Sequence, residues 1–276
     1  MGAPDGLPFF EPLSPAGGIG VARLDVSRPL SPELVETIRA AILAHRLVVF
    51  AGQSLSREQQ AAFAANFGRV EAHGRERGED KRRDVAHVMS NIGTDGAPTI
   101  RFSPAANYHW HTDKPYRPAP PSLTLLHAVE VPPADAGRGG ETEFADTSLA
   151  YDALADDVKR RIAGLRVVFR PAFDPSLPEV DHPLVRTHPE TGRKALYIGN
   201  HATGIAGMTP AEGTALLAEL LLHATRPEFV YAHRWRPGDL VVWDNRCLLH
   251  RLVLGDGLRR YRRVMHRSTV AGTPPF

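Results

Sequence analysis

The sequence predicts a mainly β fold with helices on its outside, an antiparallel jelly roll. Two features point there. Short runs rich in β-branched and aromatic residues, at 123–129, 195–199, 229–235, 239–244 and 261–270, are separated by Pro and Gly, the punctuation of many short strands. Helical periodicity is confined to a few stretches, most of them opening on a capping signal.

The elements follow in chain order. Ser31-Pro32-Glu33 supplies an N-cap and a proline at the first helical position, and Leu34, Ile38 and Ile42 recur at helical spacing toward His45. Leu47-Val48-Val49-Phe50 then reads as a buried strand closed by Ala51-Gly52. Ser56 with Gln59 forms a capping box for a helix ending near Gly68. A further helix is expected from Asp146 or Thr147 to Gly164, followed by a strand over 165–169. Thr209 and Glu212, with Pro210 between them, open a helix through Leu216, Leu217, Leu220 and Leu221, whose apolar density implies burial. Residues 72–107 are the least regular, with mixed charge over 75–83; they read either as a solvated loop or as a lid over an active site. No repeat or linker divides the chain, so 1–276 is read as one domain.

Composition narrows the function classes. At 276 residues and 42% hydrophobic, the chain can bury the core of one large domain. A net charge of +2 without a clustered basic excess does not favour nucleic acid as a partner. The lone Cys247 cannot form an internal disulfide, so a reducing cytoplasm is expected. The first residues lack the basic start and apolar stretch of a signal peptide, and Gly6 breaks the myristoylation pattern. No apolar run approaches the roughly 20 residues that span a bilayer. A soluble protein without a membrane partner is expected, and a homo-oligomer is left open.

The chemistry-bearing residues fall in three places. In Tyr108-His109-Trp110-His111-Thr112-Asp113, His111 and Asp113 are two apart, so on an extended strand both side chains leave one face and reach a single metal. One imidazole and one carboxylate supply two corners of the facial triad that leaves Fe(II) open positions. Taken alone, a His-x-Asp match is weak. A candidate third ligand is His250, after the buried-type strand and turn of Gly238–Leu249. Downstream, Arg263 and Arg267 share a face of the strand expected over 261–270. Either that strand is basic and solvent-facing, or two buried guanidinium groups there require anionic partners, such as the distal end of a dicarboxylate and an acidic substrate.

Jointly these stretches make the chain resemble the taurine dioxygenase and 2,4-dichlorophenoxyacetate dioxygenase family. The matching segments run in order along nearly the whole chain: Val48–Gln53, Trp110–Asp113, Gly139–Asp146, Arg186–Pro189, Trp243–Arg246 through His250, and Arg263–Thr269. The resemblance implies a double-stranded β-helix of cupin-like jelly-roll type, with Fe(II) held by His111, Asp113 and His250. It further implies 2-oxoglutarate as co-substrate, with Thr142 and Arg263 at its distal carboxylate, and O2 as oxidant. Arg267 matches the arginine that meets the anion of the primary substrate, while Asn107 and His73 match positions lining that pocket. The implied reaction is hydroxylation of a small organic anion, a carboxylate or sulfonate, with release of succinate and CO2. A carboxylate at Asp113 argues against the halogenating variants.

Departures from the pattern bear on substrate. Glu76 stands where a tyrosine defines the taurine site, while Tyr197–Ala202 and His223–Tyr231 look more like the aryloxyalkanoate branch. His201 either reaches the pocket or makes a structural hydrogen bond. Cys247 reads as a packing residue. Two rival functions remain: a ligand-binding jelly roll without turnover, which leaves Thr142 and Arg263 unexplained, and a different oxidation, such as desaturation, at the same iron.

Overall fold

A computed structural model describes residues 8–72, 86–99, 105–171 and 178–276. The chain starts with a hairpin, β1 (Phe9–Pro12) and β2 (Ile19–Ala22), then α1 (Pro32–His45), β3 (Leu47–Phe50), α2 (Arg57–Ala65) and β4 (His87–Ser90). After a 3-10 turn at Ala105–Tyr108 come β5 (Leu123–Glu130), β6 (Thr142–Asp146), α3 (Thr147–Asp152), α4 (Asp156–Ile162) and β7 (Arg166–Phe169). Next are β8 (Val180–Pro183), β9 (Val185–Thr187), β10 (Lys194–Leu196), β11 (Ala202–Ile205) and α5 (Pro210–Ala224). The last elements are β12 (Val230–His233), β13 (Leu240–Asp244), β14 (Leu248–Leu252), α6 (Asp256–Arg260) and β15 (Val264–Val270).

The expected caps close the helices. Ser31 accepts a hydrogen bond from the Leu34 amide, and both capping boxes, Ser56 with Gln59 and Thr209 with Glu212, are complete. One expected helix is two: Asp146 caps α3, the chain turns extended at Ala155, and α4 starts afresh with Asp156 and Asp157 in its first turn. The break turns Leu154 inward, where it is buried. The strand expected over 195–199 ends at Leu196. The one expected over 261–270 begins at Val264, because α6 and the segment behind it occupy 256–263. Part of the irregular stretch 72–107 is a strand, β4, paired with β15. The remainder of that stretch falls largely outside the described residues.

The larger sheet runs β1-β2-β3-β13-β5-β15-β4, antiparallel except for β2 with β3. Facing it is an antiparallel sheet, β12-β6-β14. The twofold alternation of strands sorts side chains between the layers. Val48, Phe50, Leu125, Leu240 and Val242 point out to α1 and α2, packing with Ile38, Ile42 and Phe63. Val49, Leu126, Val241 and Trp243 point in, meeting Phe144, Trp235 and Leu248 of the smaller layer. Behind β6 and β14 a third cluster joins Ala145 and Leu249 to α3, α4 and α5 through Ala150, Ile162, Leu216 and Leu220. Both faces of each sheet are covered, which is why β3 and β13 read as continuous apolar runs rather than alternating ones. Among the described residues, no helix is long and apolar enough to cross a membrane.

Phe63 is the hinge of the outer layer, with its ring edge-on to Phe50 at 5.4 Å and to Phe67 at 5.3 Å. Phe63→Ala should destabilise the protein by about 3–5 kcal/mol, the usual cost of deleting a buried aromatic. Urea unfolding measures this directly; a loss under 1 kcal/mol would mean the α2 layer is not load-carrying.

Candidate active site

His250 sits on β14, and its backbone reaches across to His111 in a single antiparallel bridge: the His250 amide donates to the His111 carbonyl at 2.8 Å, and the His111 amide returns the bond at 3.0 Å. The strand expected around His111 is reduced to that bridge. Beyond it the chain bends at Asp113, and Lys114 takes a left-handed conformation at φ 48°. The bend still brings the Asp113 carboxylate to the two imidazoles. Asp113 Oδ1 lies 4.0 Å from His250 Nε2, and the three side chains offer ligand atoms within 4.8 Å of one another. Gly199 covers this loop with φ +138°; a Cβ there would stand 3.2 Å from both His111 Cα and the Trp110 carbonyl oxygen.

Hydrogen bonds fix the direction of each donor atom. His111 Nδ1 lies 2.8 Å from the His109 carbonyl and donates to it, which leaves the Nε2 lone pair free for a cation. Asp113 Oδ2 accepts from the Thr124 hydroxyl at 2.5 Å. Thr124 in turn accepts from Asn245 Nδ2 at 2.8 Å, and Asn245 Oδ1 accepts from the Trp243 indole at 3.0 Å. Thr112, expected to point away from the metal, does so and donates to the Asn245 carbonyl at 2.8 Å. Three residues, Thr124 of β5, Trp243 of β13 and Asn245 of the following turn, thus hold one carboxylate.

The charges suit a cation. Burial lowers the pKa of His111 and takes His250 down to about 3, so both imidazoles are neutral near pH 7. Burial works against ionising Asp113, but the nearby Arg267, His250 and His111 and the bond from Thr124 outweigh it and hold the carboxyl well below the usual range. Two neutral imidazoles and one carboxylate are a donor set for a divalent first-row metal.

Beside the triad opens a cavity lined by Met89, Asn107, His111, Leu126, Thr142, Trp243, His250, Leu252, Arg263 and Arg267. Arg263 precedes β15 and is 3% exposed; its amide donates to the Asn91 side chain at 2.6 Å, which anchors the segment. Among the described residues its buried Nε has no hydrogen-bond partner, and burial pulls its pKa down to about 10. Arg267 lies four residues on, its Nη1 3.7 Å from Asp113 Oδ1 and its Nε likewise unpartnered. The segment is therefore not the solvent-facing basic strand that the sequence left open.

The family model described as "Taurine catabolism dioxygenase TauD, TfdA family" matches residues 10–269. The chain belongs to this family. It is 40% identical to the alpha-ketoglutarate-dependent 2,4-dichlorophenoxyacetate dioxygenase of Cupriavidus pinatubonensis, over 94% of this chain and 96% of that one. It is 36% identical to the (S)-phenoxypropionate/alpha-ketoglutarate-dioxygenase of Sphingobium herbicidovorans, over 86% of each chain. Among solved structures it resembles AAD-2 in complex with Mn(II) and N-oxalylglycine, with TM-score 0.84 and 37% identity over 97% of this chain and 98% of that one. As a TauD/TfdA dioxygenase the protein is an oxidoreductase with the jelly-roll fold, and it uses Fe(II), 2-oxoglutarate and O2. The residues fit those groups: the triad supplies neutral and anionic donors, and the buried Arg263, whose Nε has no hydrogen-bond partner among the described residues, suits a carboxylate.

The other sequence candidates are placed unevenly. Asn107 and Thr142 line the cavity, while His73 lies outside the described residues. His201 is buried beside the triad but is not part of the cavity wall; its ring packs edge-on against Tyr116 at 5.1 Å. Cys247 is buried and its thiol pKa is pushed up by burial, which fits a packing role. It neighbours His188 and Asp244, but the Asp244 carboxylate is already engaged by His188 at 3.0 Å and by Arg246 at 2.6 Å. Sequence reasoning missed Thr124 and Asn245 as supports of Asp113, and Met89, Leu126 and Leu252 as cavity walls. For Asn245 a signal existed, since it sits in the matched Trp243–Arg246 stretch; for the others only pairing between strands reveals the role.

Thr124→Val should weaken metal binding about 10- to 100-fold, the usual effect of losing a group that orients a ligand, as read by competition with a chromogenic chelator. Unchanged affinity would show that Asp113 needs no such support. A pH dependence also follows. His111, His127, His182, His201, His250 and His266 all have pKa values lowered chiefly by burial, His201 to about 4. Below about pH 6.5 the unfolded chain takes up protons that the folded chain refuses, so the metal-free protein should lose stability steadily from there toward pH 4. Urea midpoints at pH 7, 6, 5 and 4.5 test this; a flat series would contradict it.

Proposed function

We propose that His111, Asp113 and His250 hold the iron, that Thr142 and Arg263 receive the distal carboxylate of 2-oxoglutarate, and that Arg267 binds the anion of an aryloxyalkanoate-like carboxylate substrate. The observation that carries the substrate assignment is Arg267 itself: a guanidinium at the cavity, with a buried unpartnered Nε, next to the metal-binding Asp113. A half-buried guanidinium at the cavity attracts an anion, and its planar fork suits a carboxylate or sulfonate. Met89, Leu126, Trp243 and Leu252 offer apolar surface for the rest of the molecule. The named relatives, which act on 2,4-dichlorophenoxyacetate and (S)-phenoxypropionate, support the aryloxy form.

When bound, Fe(II) with O2 supplies the oxidant that converts a substrate C–H to C–OH while 2-oxoglutarate leaves as succinate and CO2. The protein's part is to place the substrate: Arg267 anchors its carboxylate, and the apolar walls exclude water and set which carbon faces the triad. Hydroxylation beside an ether oxygen gives a hemiacetal that breaks into a phenol and an oxo acid. The lone, buried Cys247 supports a reducing, cytoplasmic setting.

Two measurements test the reading in sequence. Anaerobic addition of Fe(II) and 2-oxoglutarate should give a visible charge-transfer band that is lost in His111→Ala; no band in the folded wild type would remove the chelation on which everything else rests. With a panel of aryloxyalkanoates, succinate formation in Arg267→Met should require at least tenfold more primary substrate while the need for 2-oxoglutarate changes far less. An equal effect on both would sink the substrate role of Arg267.

A further inference from the structure

Trp235 follows β12 and is buried in the apolar layer between the two sheets. Its indole N–H donates to Thr142 Oγ1 at 3.0 Å, and its ring lies 5.9 Å from the Arg263 guanidinium carbon. Thus one side chain touches both groups assigned above to the distal carboxylate. The hydrogen bond has a direction. A hydroxyl has one proton to give and two lone pairs to receive; with the indole proton taken on one lone pair, the Thr142 proton remains available to an acceptor in the cavity. The ring face sits within the range at which an aromatic quadrupole attracts a cation, and it does so for an arginine whose Nε has no protein partner.

The indole is itself anchored. His233 packs edge-on against it, with ring centroids 4.6 Å apart and planes at 88°. His233 Nε2 donates to Asp239 Oδ2 at 3.0 Å, and its Nδ1 accepts from the Tyr231 hydroxyl at 3.0 Å. Asp239 Oδ2 also accepts from the Arg236 amide at 2.9 Å, which ties down the turn that carries Trp235. Burial raises the Tyr231 pKa to about 12, so its hydroxyl keeps its proton near neutral pH. It braces the ring and offers no nucleophile.

We infer that Trp235 is a positioning residue for 2-oxoglutarate, directing the Thr142 hydroxyl as a donor and holding the Arg263 guanidinium, so that both meet the distal carboxylate. The inference rests on the assignment of Thr142 and Arg263 made above. It predicts a selectivity that a general packing role would not produce. Trp235→Phe keeps a ring face but removes the N–H.

Calorimetric titration of anaerobic, Mn(II)-loaded protein with 2-oxoglutarate and, separately, with pyruvate, which lacks the distal carboxylate, reads the effect without turnover. Trp235→Phe should weaken 2-oxoglutarate at least tenfold, about the worth of one charge-assisted hydrogen bond, and leave pyruvate within twofold. Asp239→Asn, which loosens the anchor without touching the indole, should show a smaller loss of the same selectivity. Equal weakening of both acids, or an unchanged 2-oxoglutarate affinity in Trp235→Phe while Thr142→Val and Arg263→Met lose theirs, would overturn the positioning role. If Thr142→Val and Arg263→Met also bind 2-oxoglutarate as wild type does, the carboxylate assignment itself fails.

Discussion

Two backbone hydrogen bonds between His111 and His250 are the constraint on which the rest of the site depends. They join a loop to β14, residues 139 apart in sequence, and set the imidazole centroids 4.1 Å apart. Every other feature of the triad serves to bring a carboxylate to that pair. The bend at Asp113 turns it back, and the line from Trp243 through Asn245 and Thr124 fixes its far oxygen. Because β13, β5 and β14 supply these supports, the stiffness of both sheets is transmitted to the candidate ligand atoms.

The second organising pressure is the cost of buried charge. Arg263 and Arg267 stand at one cavity, and among the described residues the Nε of each has no hydrogen-bond partner, a condition that a bound anion would relieve. Two other sites pair their buried charges internally. Asp244 is engaged by Arg246 and His188, and Arg46 pairs with Asp146 at the start of α3.

Layering explains why the site can be both open and rigid. Outer helices and the inner apolar layer cover both faces of the larger sheet, so the cavity is cut into the space between sheets without exposing the core. Trp243 and Trp235 belong to that inner layer and also reach the site, one through Asn245 and the other through Thr142. Packing and ligand binding therefore share side chains.

Much of this was written locally in the sequence. Capping boxes at Ser56 and Thr209, the N-cap at Ser31 and the apolar runs of β3 and β13 depend on neighbours within a few residues, so their signals survive in the linear order. The candidate ligands were legible for a similar reason: His-x-Asp and the Arg263–Arg267 spacing are short patterns, and their joint occurrence with His250 matched a known family. What the sequence did not determine were contacts made across distance. Thr124 reads as one more β-prone residue until the register of β5 sets it against Asp113, and Trp235 reads as core until β12 pairs with β6 and brings its indole to Thr142. The break between α3 and α4, the strand β4 and the burial of Arg263 likewise follow from which surfaces meet, and that is decided only when the sheets and their helices close on one another.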